Sequence, residues 1–187
     1  MNADINIKNI ILETNRLLLR PFKMSDLNDF YEYAKVWGVG QMAGWLPHQS
    51  IAQSQKILEK FIEGNKTFAI VYKNNNKVIG SIGIEELRNI NEEQFKKIKG
   101  RELGFVLSKE YWGLGIMPEA VKKVIGYLFN DCNLDFITCS HFIDNNQSKR
   151  VQEKCGFKFF KKVILSTQMQ EDKEGNLNII YKNDILA

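Results

Sequence analysis

Hydrophobic residues in the first third of the chain follow strand spacing in one segment and helical spacing in two others. The segment Glu13–Arg20 predicts a turn followed by a short strand. Ser25 fits the cap of a helix that continues at helical spacing to about Lys35. The glycine- and aromatic-rich segment Trp37–Pro47 has no clear period and predicts a loop, after which a second helical pattern covers residues 51–62.

The rest of the chain predicts six more strands and two more helices. The link Lys73–Asn76 favours a hairpin, because Asn tolerates left-handed backbone angles. One helix is predicted over Met117–Asn130 and another from Asp144 to Cys155, with Gly156 placed to end it in a left-handed conformation. The predicted strands are Thr67–Tyr72, Lys77–Leu87, Glu102–Leu107, Asp135–His141, Lys158–Ser166 and, after a polar turn over Gln170–Asn176, Leu177–Tyr181.

The order of these elements predicts an α+β (mixed α/β) fold. Seven strands and four helices in the order β-α-α-β-β-β-α-β-α-β-β give a mixed sheet flanked by helices, with the third helix as a parallel crossover. A chain of 187 residues suffices for one full hydrophobic core and divides poorly into two. We therefore expect a single domain over residues 1–187.

Composition places the chain among ordinary soluble proteins. Hydrophobic residues make up 44% and charged residues 26%, and the net charge of +4 is a small difference between 26 basic and 22 acidic residues. We interpret the densest basic stretch, residues 94–101, as a solvated loop or strand entry, and we predict no nucleic-acid partner. Three unpaired cysteines and the absence of a long apolar segment predict a reduced, cytoplasmic protein with no metal and no membrane partner.

The chemistry-bearing segment is a glycine turn between a strand and a helix. Glu102–Leu107 runs into Tyr111–Ile116, where Gly113 and Gly115 leave room for an anion on the free N–H groups at a helix start. Such turns also occur for packing alone. This one lacks the third glycine of a dinucleotide fingerprint and the Lys-Ser/Thr of a triphosphate loop, which disfavours both cofactor classes.

Three segments resemble one family. Glu102–Leu107 with Tyr111–Ala120 resembles the acetyl-CoA motif of the GNAT N-acetyltransferases. Asn145–Phe157 is similar to the N-x-x-S … E-K-x-G-F segment of the Rim-type branch, which acetylates ribosomal-protein N-termini and small amines, and Glu13–Phe22 is similar to its first strand. The resemblance implies a mostly antiparallel sheet of about seven strands, with about four helices and with CoA between strands 102–107 and 135–141.

The resemblance implies acetyl-CoA as cosubstrate. Its pyrophosphate would lie on backbone N–H groups of the turn, its pantetheine arm beside the preceding strand, and Asn145 would hydrogen-bond that arm. The family usually has Arg or Gln where this chain has Trp112, and Gly or Ala where it has Met117. The implied cofactor-binding residues are Phe105, Val106, Leu107, Trp112, Gly113, Leu114, Gly115, Ile116, Met117, Asn145 and Ser148.

Direct attack of an amine on the thioester requires a general base, because an amine is largely protonated near neutral pH. Glu102, at the start of the strand before the turn, is our first candidate, and a water held by several groups is an alternative. Glu85, Glu86 and the loop residue His48 are further candidates, although each of these residues, like Glu102, is also explicable as a solvated residue. We interpret His141 as structural.

Two further groups are implied for the reaction itself. A backbone N–H around Val106 or Leu107 would stabilise the oxyanion of the intermediate. Family members often protonate the leaving thiolate with a tyrosine, but residues 147–160 contain none. Ser148 occupies the position that this branch offers instead, although a hydroxyl in a first helical turn can also serve as a cap.

The sequence leaves the identity of the acetyl acceptor open. The resemblance implies a substrate site near Trp37, Trp45, His48 and Glu85, and the acceptor could be a protein N-terminus or a small-molecule amine. A polyamine or aminoglycoside would require an acidic pocket, for which Glu32, Glu85, Glu86 and Glu102 are available. A CoA-binding regulatory module without turnover is the alternative function, and monomer and homodimer are both open.

Overall fold

Eight strands form one sheet in the computed structural model, which describes residues 1–169 and 171–186. The strands are β1 (Leu12–Glu13), β2 (Leu17–Pro21), β3 (Thr67–Tyr72), β4 (Lys77–Glu85), β5 (Gly100–Leu107), β6 (Phe136–Phe142), β7 (Lys158–Ser166) and β8 (Asp172–Tyr181). The helices are α1 (Leu27–Ala34), α2 (Ile51–Gly64), α3 (Ile116–Asn130), α4 (Asn146–Lys154) and the four-residue α5 (Asn183–Leu186).

The sheet order is β1-β2-β3-β4-β5-β6-β8-β7. The named strands pair antiparallel except β5 and β6, which are parallel and are connected through α3. The predicted mixed, mostly antiparallel sheet with a parallel crossover is therefore confirmed. The sheet has one strand more than the predicted seven, because the two-residue β1 pairs with β2 through Leu12 and Leu19.

Two predicted boundaries were wrong. Ser25 does not cap the first helix, because it lies inside a short 3-10 turn, Met24–Asp26, and α1 begins only at Leu27. The polar turn predicted over Gln170–Asn176 is shorter, since β8 already begins at Asp172; Gln170 lies outside the described residues. Polar residues fit this extension because Asp172 and Glu174 are exposed there, where β8 pairs with the edge strand β7.

Both faces of the sheet are covered by helices. In β3, Phe68 and Ile70 point into the cluster that contains α3, while Ala69 and Val71 point into the cluster that contains α1 and α2. The apolar side of α3 is fully buried, with Val121, Val124 and Leu128 each 0% exposed. None of the helices in the described part of the chain combines the length and apolar composition that crossing a bilayer requires.

The contact between β5 and β6 is short. The strands pair only through Gly100 with Phe136, Arg101 with Ile137 and Glu102 with Thr138. Beyond Glu102, β5 continues along β4 and β6 continues along β8, without pairing with each other. A wedge-shaped gap therefore opens in the middle of the sheet at residue 102.

The segment between α1 and α2 is anchored at its end by His48. The His48 side chain is buried, its Nδ1 lies 2.7 Å from Ser54 Oγ, and its ring lies 5.4 Å from that of Phe30 and 5.1 Å from that of Trp45. Burial lowers the pKa of His48 below its ordinary value of 6.5. The neutral imidazole is therefore the form that the fold favours.

The buried histidine predicts a loss of stability in acid. Below the unfolded-state pKa, the unfolded chain takes up a proton that the folded chain does not, so the free energy of unfolding should fall as pH drops from about 7.5 to about 5.5. The difference in unfolding free energy between wild type and His48→Gln, measured by urea titration, should shrink over this range. A stability difference between the two proteins that is independent of pH would contradict the neutral state assigned to His48 in the folded protein.

Candidate active site

A cavity of ≈ 550 Å³ occupies the gap between β5 and β6. Its walls are the residues of β5 from Glu102 onward, residues 139–142 of β6, the glycine turn, and parts of α4. The segment between α1 and α2 contributes a further wall through residues 42–44. The cavity therefore lies where the sequence predicts the CoA site.

The glycine turn has the backbone conformation that only glycine adopts readily. Gly113 and Gly115 have φ angles of 78° and 72°, in the left-handed region. A β-carbon at Gly113 would meet nothing within 4 Å, so this side of the turn is open. Gly115 is the N-cap residue of α3 and has no side chain to cap the helix, which leaves the first N–H groups of α3 available to an anion.

A salt-bridge network holds the turn from outside the cavity. Arg16 Nη1 donates to the Leu114 carbonyl at 2.9 Å, and Arg16 Nη2 lies 2.6 Å from Glu119 Oε2. Thr14 Oγ1 donates to Glu119 Oε1 at 2.5 Å. Burial works against ionisation of Glu119, but the hydrogen bonds from Thr14 and Arg16 outweigh it and hold the pKa of Glu119 below its ordinary value.

The backbone of β5 presents alternate N–H groups to the gap. Ser108 N donates to Ile79 O at 2.7 Å, on the β4 side. Because backbone groups alternate along a strand, Val106 faces β4 as well, whereas Phe105 and Leu107 face the gap. The Leu107 carbonyl accepts a hydrogen bond from Trp112 Nε1 at 2.9 Å, away from β4 as this alternation requires. The two N–H groups predicted to stabilise the oxyanion are those of Val106 and Leu107, and of these only the Leu107 N–H faces the cavity.

Glu102 lies at the closed end of the gap. Its side chain is buried (8% exposed), Oε1 accepts a hydrogen bond from Ser140 Oγ at 2.9 Å, and Oε2 accepts one from the Arg88 N–H at 3.2 Å. Burial raises the pKa of Glu102 above its ordinary value, although these hydrogen bonds oppose the shift. Glu102 is therefore a carboxylate with unusual affinity for a proton.

Glu85 pairs directly with Glu102 across β4 and β5, and it also lines the cavity. Its side chain is exposed, and its negative charge adds to the rise in the pKa of Glu102. Glu86, the other carboxylate considered, does not line the cavity.

The first turn of α4 closes another side of the cavity. Asn145 Oδ1 accepts a hydrogen bond from Ser148 N at 3.0 Å, and Asn145 Nδ2 donates to the Met42 carbonyl at 3.0 Å. Asn145 therefore caps α4 and ties the loop after α1 to it. Ser148 Oγ accepts a hydrogen bond from Gln152 Nε2 at 3.1 Å and lines the cavity.

A family model described as Acetyltransferase (GNAT) domain matches residues 16–158, which include every wall of the cavity except part of β7. The chain belongs to the GNAT acetyltransferases.

Similar proteins agree with this assignment. An uncharacterized N-acetyltransferase, p20, from Bacillus licheniformis is 28% identical over 152 residues, which are 78% of this chain and 81% of p20. A probable N-acetyltransferase of Bacillus subtilis (strain 168), YjcK, is 30% identical over 144 residues, 76% of this chain and 68% of YjcK. A GNAT-family acetyltransferase structure from Bacillus anthracis aligns with a TM-score of 0.78 and 22% identity, over 93% of this chain and 99% of that one.

Most of the predicted cofactor residues of this GNAT domain line the cavity. Leu114 is the exception, because its side chain is 57% exposed and Arg16 holds its carbonyl. The predicted catalytic residues line it too. The cavity-lining members of the predicted set are Glu85, Glu102, Phe105, Val106, Leu107, Trp112, Gly113, Gly115, Ile116, Met117, Asn145 and Ser148.

Three residues predicted for the acceptor site do not line the cavity. Trp37 is 72% exposed, and the rings of Trp45 and His48 pack against each other in the cluster around α1. Other residues line the cavity, and the sequence pattern gave no signal for them, because they come from four separate segments of the chain. They include Val39, Met42, Arg88, Phe142, Leu165 and Ser166.

The Arg16–Glu119 pair was not predicted either, since its members are 103 residues apart in the chain. Two more missed residues, Arg150 and Lys154 of α4, add positive charge to the cavity wall. In residues 1–169 and 171–186, no group of three His, Cys, Asp or Glu side chains could hold a metal ion.

Removing the Arg16 side chain should increase the mobility of the glycine turn while changing the stability of the fold little. In Arg16→Met the Leu114 carbonyl loses its donor, so the NMR order parameters of the residue 113–116 amides should fall, while unfolding free energy changes by about 1 kcal/mol or less. Lys161→Met is the matched control, because Lys161 has a similar exposure and pairs with Glu92 at 2.5 Å without touching the turn or the residues that hold it. Equal order parameters over residues 113–116 in the two variants would show that Arg16 does not hold the turn.

Proposed function

We propose that this GNAT protein transfers the acetyl group of acetyl-CoA to a primary amine, by direct attack within a ternary complex. One observation carries the proposal: a single cavity contains an uncapped helix N-terminus at Gly115 and a buried carboxylate at Glu102. The first suits a pyrophosphate, and the second suits removal of a proton from an ammonium group.

The wide end of the cavity suits CoA. The N–H groups of residues 113–117 would bind the pyrophosphate, with Arg150 and Lys154 adding positive charge on the facing helix. Leu107 offers its N–H to an amide of an extended pantetheine arm. A structure with the same fold, the microcin C7 self-immunity acetyltransferase MccE with acetyl-CoA and AMP, supports this cosubstrate (TM-score 0.73, 17% identity, 90% of this chain and 93% of that one).

Glu102 is the proposed general base. An incoming ammonium group must lose a proton before its nitrogen can attack, and the raised pKa of Glu102 brings its proton affinity closer to that task than an ordinary carboxylate. The Glu102 carboxylate would take the proton directly or through one water. The Phe105 N–H, which faces the gap nearer to Glu102 than the Leu107 N–H does, would stabilise the negative charge that develops on the acetyl oxygen.

Ser148 is the proposed acid for the departing thiolate. Its hydroxyl lines the cavity and already accepts a hydrogen bond from Gln152, so its own proton is free to point toward the sulfur. A thiol with a pKa of about 8.5 is a good leaving group, so this assistance is modest.

We further propose that the chain is of the Rim type, on the support of Asn145–Phe157. Structures of the same fold act on different acceptors by name. One is the ribosomal-protein-S5-alanine acetyltransferase of Vibrio fischeri, which is 24% identical with a TM-score of 0.70 over 94% of this chain and 98% of that one. Another is a chimera of the Vibrio cholerae spermidine N-acetyltransferase SpeG with hSSAT, which is 18% identical with a TM-score of 0.69 over 92% of this chain and 99% of that one. Because likeness at this level concerns the fold alone, the acceptor is argued from the cavity.

The cavity favours an acceptor with a single amine, such as a protein N-terminus or a small-molecule amine. A polyamine or an aminoglycoside would require several carboxylates, but only Glu85 and Glu102 of the four candidates line the cavity. Glu32 pairs with Lys77 at 3.2 Å on another part of the surface. Polycationic acceptors are therefore the weaker alternative.

The proposal is tested by incubating the protein with acetyl-CoA and a panel of peptides and small amines. Amine-dependent release of free thiol, with a matching acetylated product, is the expected result. Saturable acetyl-CoA binding without thiol release from any amine would instead favour a CoA-binding regulatory module.

Glu102→Gln should lower kcat by about 10²-fold or more, the usual contribution of a general base. In wild type, kcat/KM should rise with pH as Glu102 loses its proton, with an apparent pKa above the ordinary 4.5, and the variant should lack this rise. Glu86→Gln is the control, because this neighbouring carboxylate does not line the cavity. Equal turnover in both variants would exclude Glu102 as the base.

Ser148→Ala should slow turnover without abolishing it, since the thiolate needs little help to leave. The cap of α4 should survive, because Asn145 accepts from the backbone N–H of residue 148 and not from its hydroxyl. Thermal unfolding checks the cap, and single-turnover rates check the chemistry. Full turnover under conditions where CoA release limits part of the rate would refute the acid role.

A further inference from the structure

Positive charge stands beside the two carboxylates at the closed end of the cavity. Arg88 follows β4 by three residues and lines the cavity together with Glu85 and Glu102. Its backbone N–H donates to Glu102 Oε2 at 3.2 Å, which fixes the start of its side chain next to the proposed base. The guanidinium therefore cannot lie further from Glu102 than one arginine side chain reaches.

The Arg88 guanidinium has no carboxylate partner in the described part of the chain. Every salt bridge in those residues involves another cation. Arg88 itself is exposed. Its positive charge is nonetheless close enough to Glu102 to oppose the rise in the pKa of that carboxyl. The guanidinium is thus near the proton-accepting group and available to bind an anion.

A guanidinium next to a carboxylate pair suits a ligand that carries both charges. Its five N–H donors match the two oxygens of a carboxylate in a bidentate arrangement. A phosphate fits less well here, because its second negative charge would face Glu85 and Glu102 as well. A second ammonium group on the acceptor would in turn be repelled by Arg88.

We infer that the acceptor is an amine that also carries a carboxylate, which Arg88 binds while the amine meets Glu102. The inference rests on the proposed function and names its acceptor class. The carboxylate can belong to an acidic side chain near a peptide N-terminus or to a small amino acid. In both cases its distance from the amine is limited by the length of one arginine side chain, because the Arg88 backbone N–H bonds Glu102.

Matched acceptors that differ only in this carboxylate test the inference by thiol release. The peptide arm compares Ala-Glu amide with Ala-Gln amide, and the small-molecule arm compares β-alanine with its amide. In at least one arm, kcat/KM should favour the acid by about tenfold, the usual worth of a charged hydrogen-bonded contact. The arm with the larger preference identifies the source of the carboxylate.

Variants assign the preference to Arg88. Arg88→Gln keeps the backbone N–H that bonds Glu102 but removes the guanidinium, so the acid and its amide should reach the same kcat/KM. Arg88→Glu should turn the peptide preference toward Ala-Lys amide. Lys97→Gln, which removes an exposed cation from the same connection outside the cavity, should keep the wild-type preference.

Equal kcat/KM for acid and amide in wild type, or a preference that survives Arg88→Gln, would overturn the inference and leave the acetyltransferase proposal intact. If no amine releases thiol, the proposed function fails, and calorimetric titration of the CoA-loaded protein with the same acceptors decides the inference. Tighter binding of the acid that is lost in Arg88→Gln supports it. Equal or absent binding overturns it.

Discussion

The separation of β5 from β6 after Glu102 is the constraint on which the site depends. Two neighbouring strands that part in the middle of a sheet leave backbone N–H and C=O groups without strand partners. Such groups need water or a ligand, because an unpaired buried one costs about as much as a lost hydrogen bond. The N–H groups of Phe105 and Leu107 face the gap on one side, so an extended molecule with its own amides can replace the missing strand.

Contacts around the gap keep its walls in place from several directions. Trp112 bonds the end of β5, Asn145 bonds both the start of α4 and the loop at Met42, and Arg16 bonds the glycine turn. These anchors come from distant parts of the chain and meet only in the folded protein. The gap is therefore a built feature of the sheet, with the anion-binding end and the Glu102 end at fixed positions relative to each other.

Much of the fold could be predicted from the sequence because its signals are local. Strand alternation, the Asn turn after β3 and the helical spacing of α3 are each set within a few residues, and the glycine turn marks one end of the cavity in the same way. The predicted start of β8 was wrong because polar residues can pair as a strand near a sheet edge. The predicted cap at Ser25 was wrong because a 3-10 turn precedes the first helix.

The rest of the site depends on contacts between distant residues. No local pattern indicates that Arg16 meets Glu119, that Ser140 bonds Glu102, or that Arg88 turns to the cavity. The same limit explains His48 and Trp45, whose loop position suggested an acceptor site while their rings pack into the core under α1. Resemblance predicts the cosubstrate side of the site, whereas the proposed acceptor side is argued from the folded arrangement alone.

Backbone N–H resonances recorded during an acetyl-CoA titration test most directly whether the gap holds the cosubstrate. The account predicts saturable shifts concentrated on Phe105, Leu107 and residues 113–116, with smaller changes at Val106, whose N–H faces β4. Saturable binding with its shifts located elsewhere, for example along the β7 edge, would contradict it.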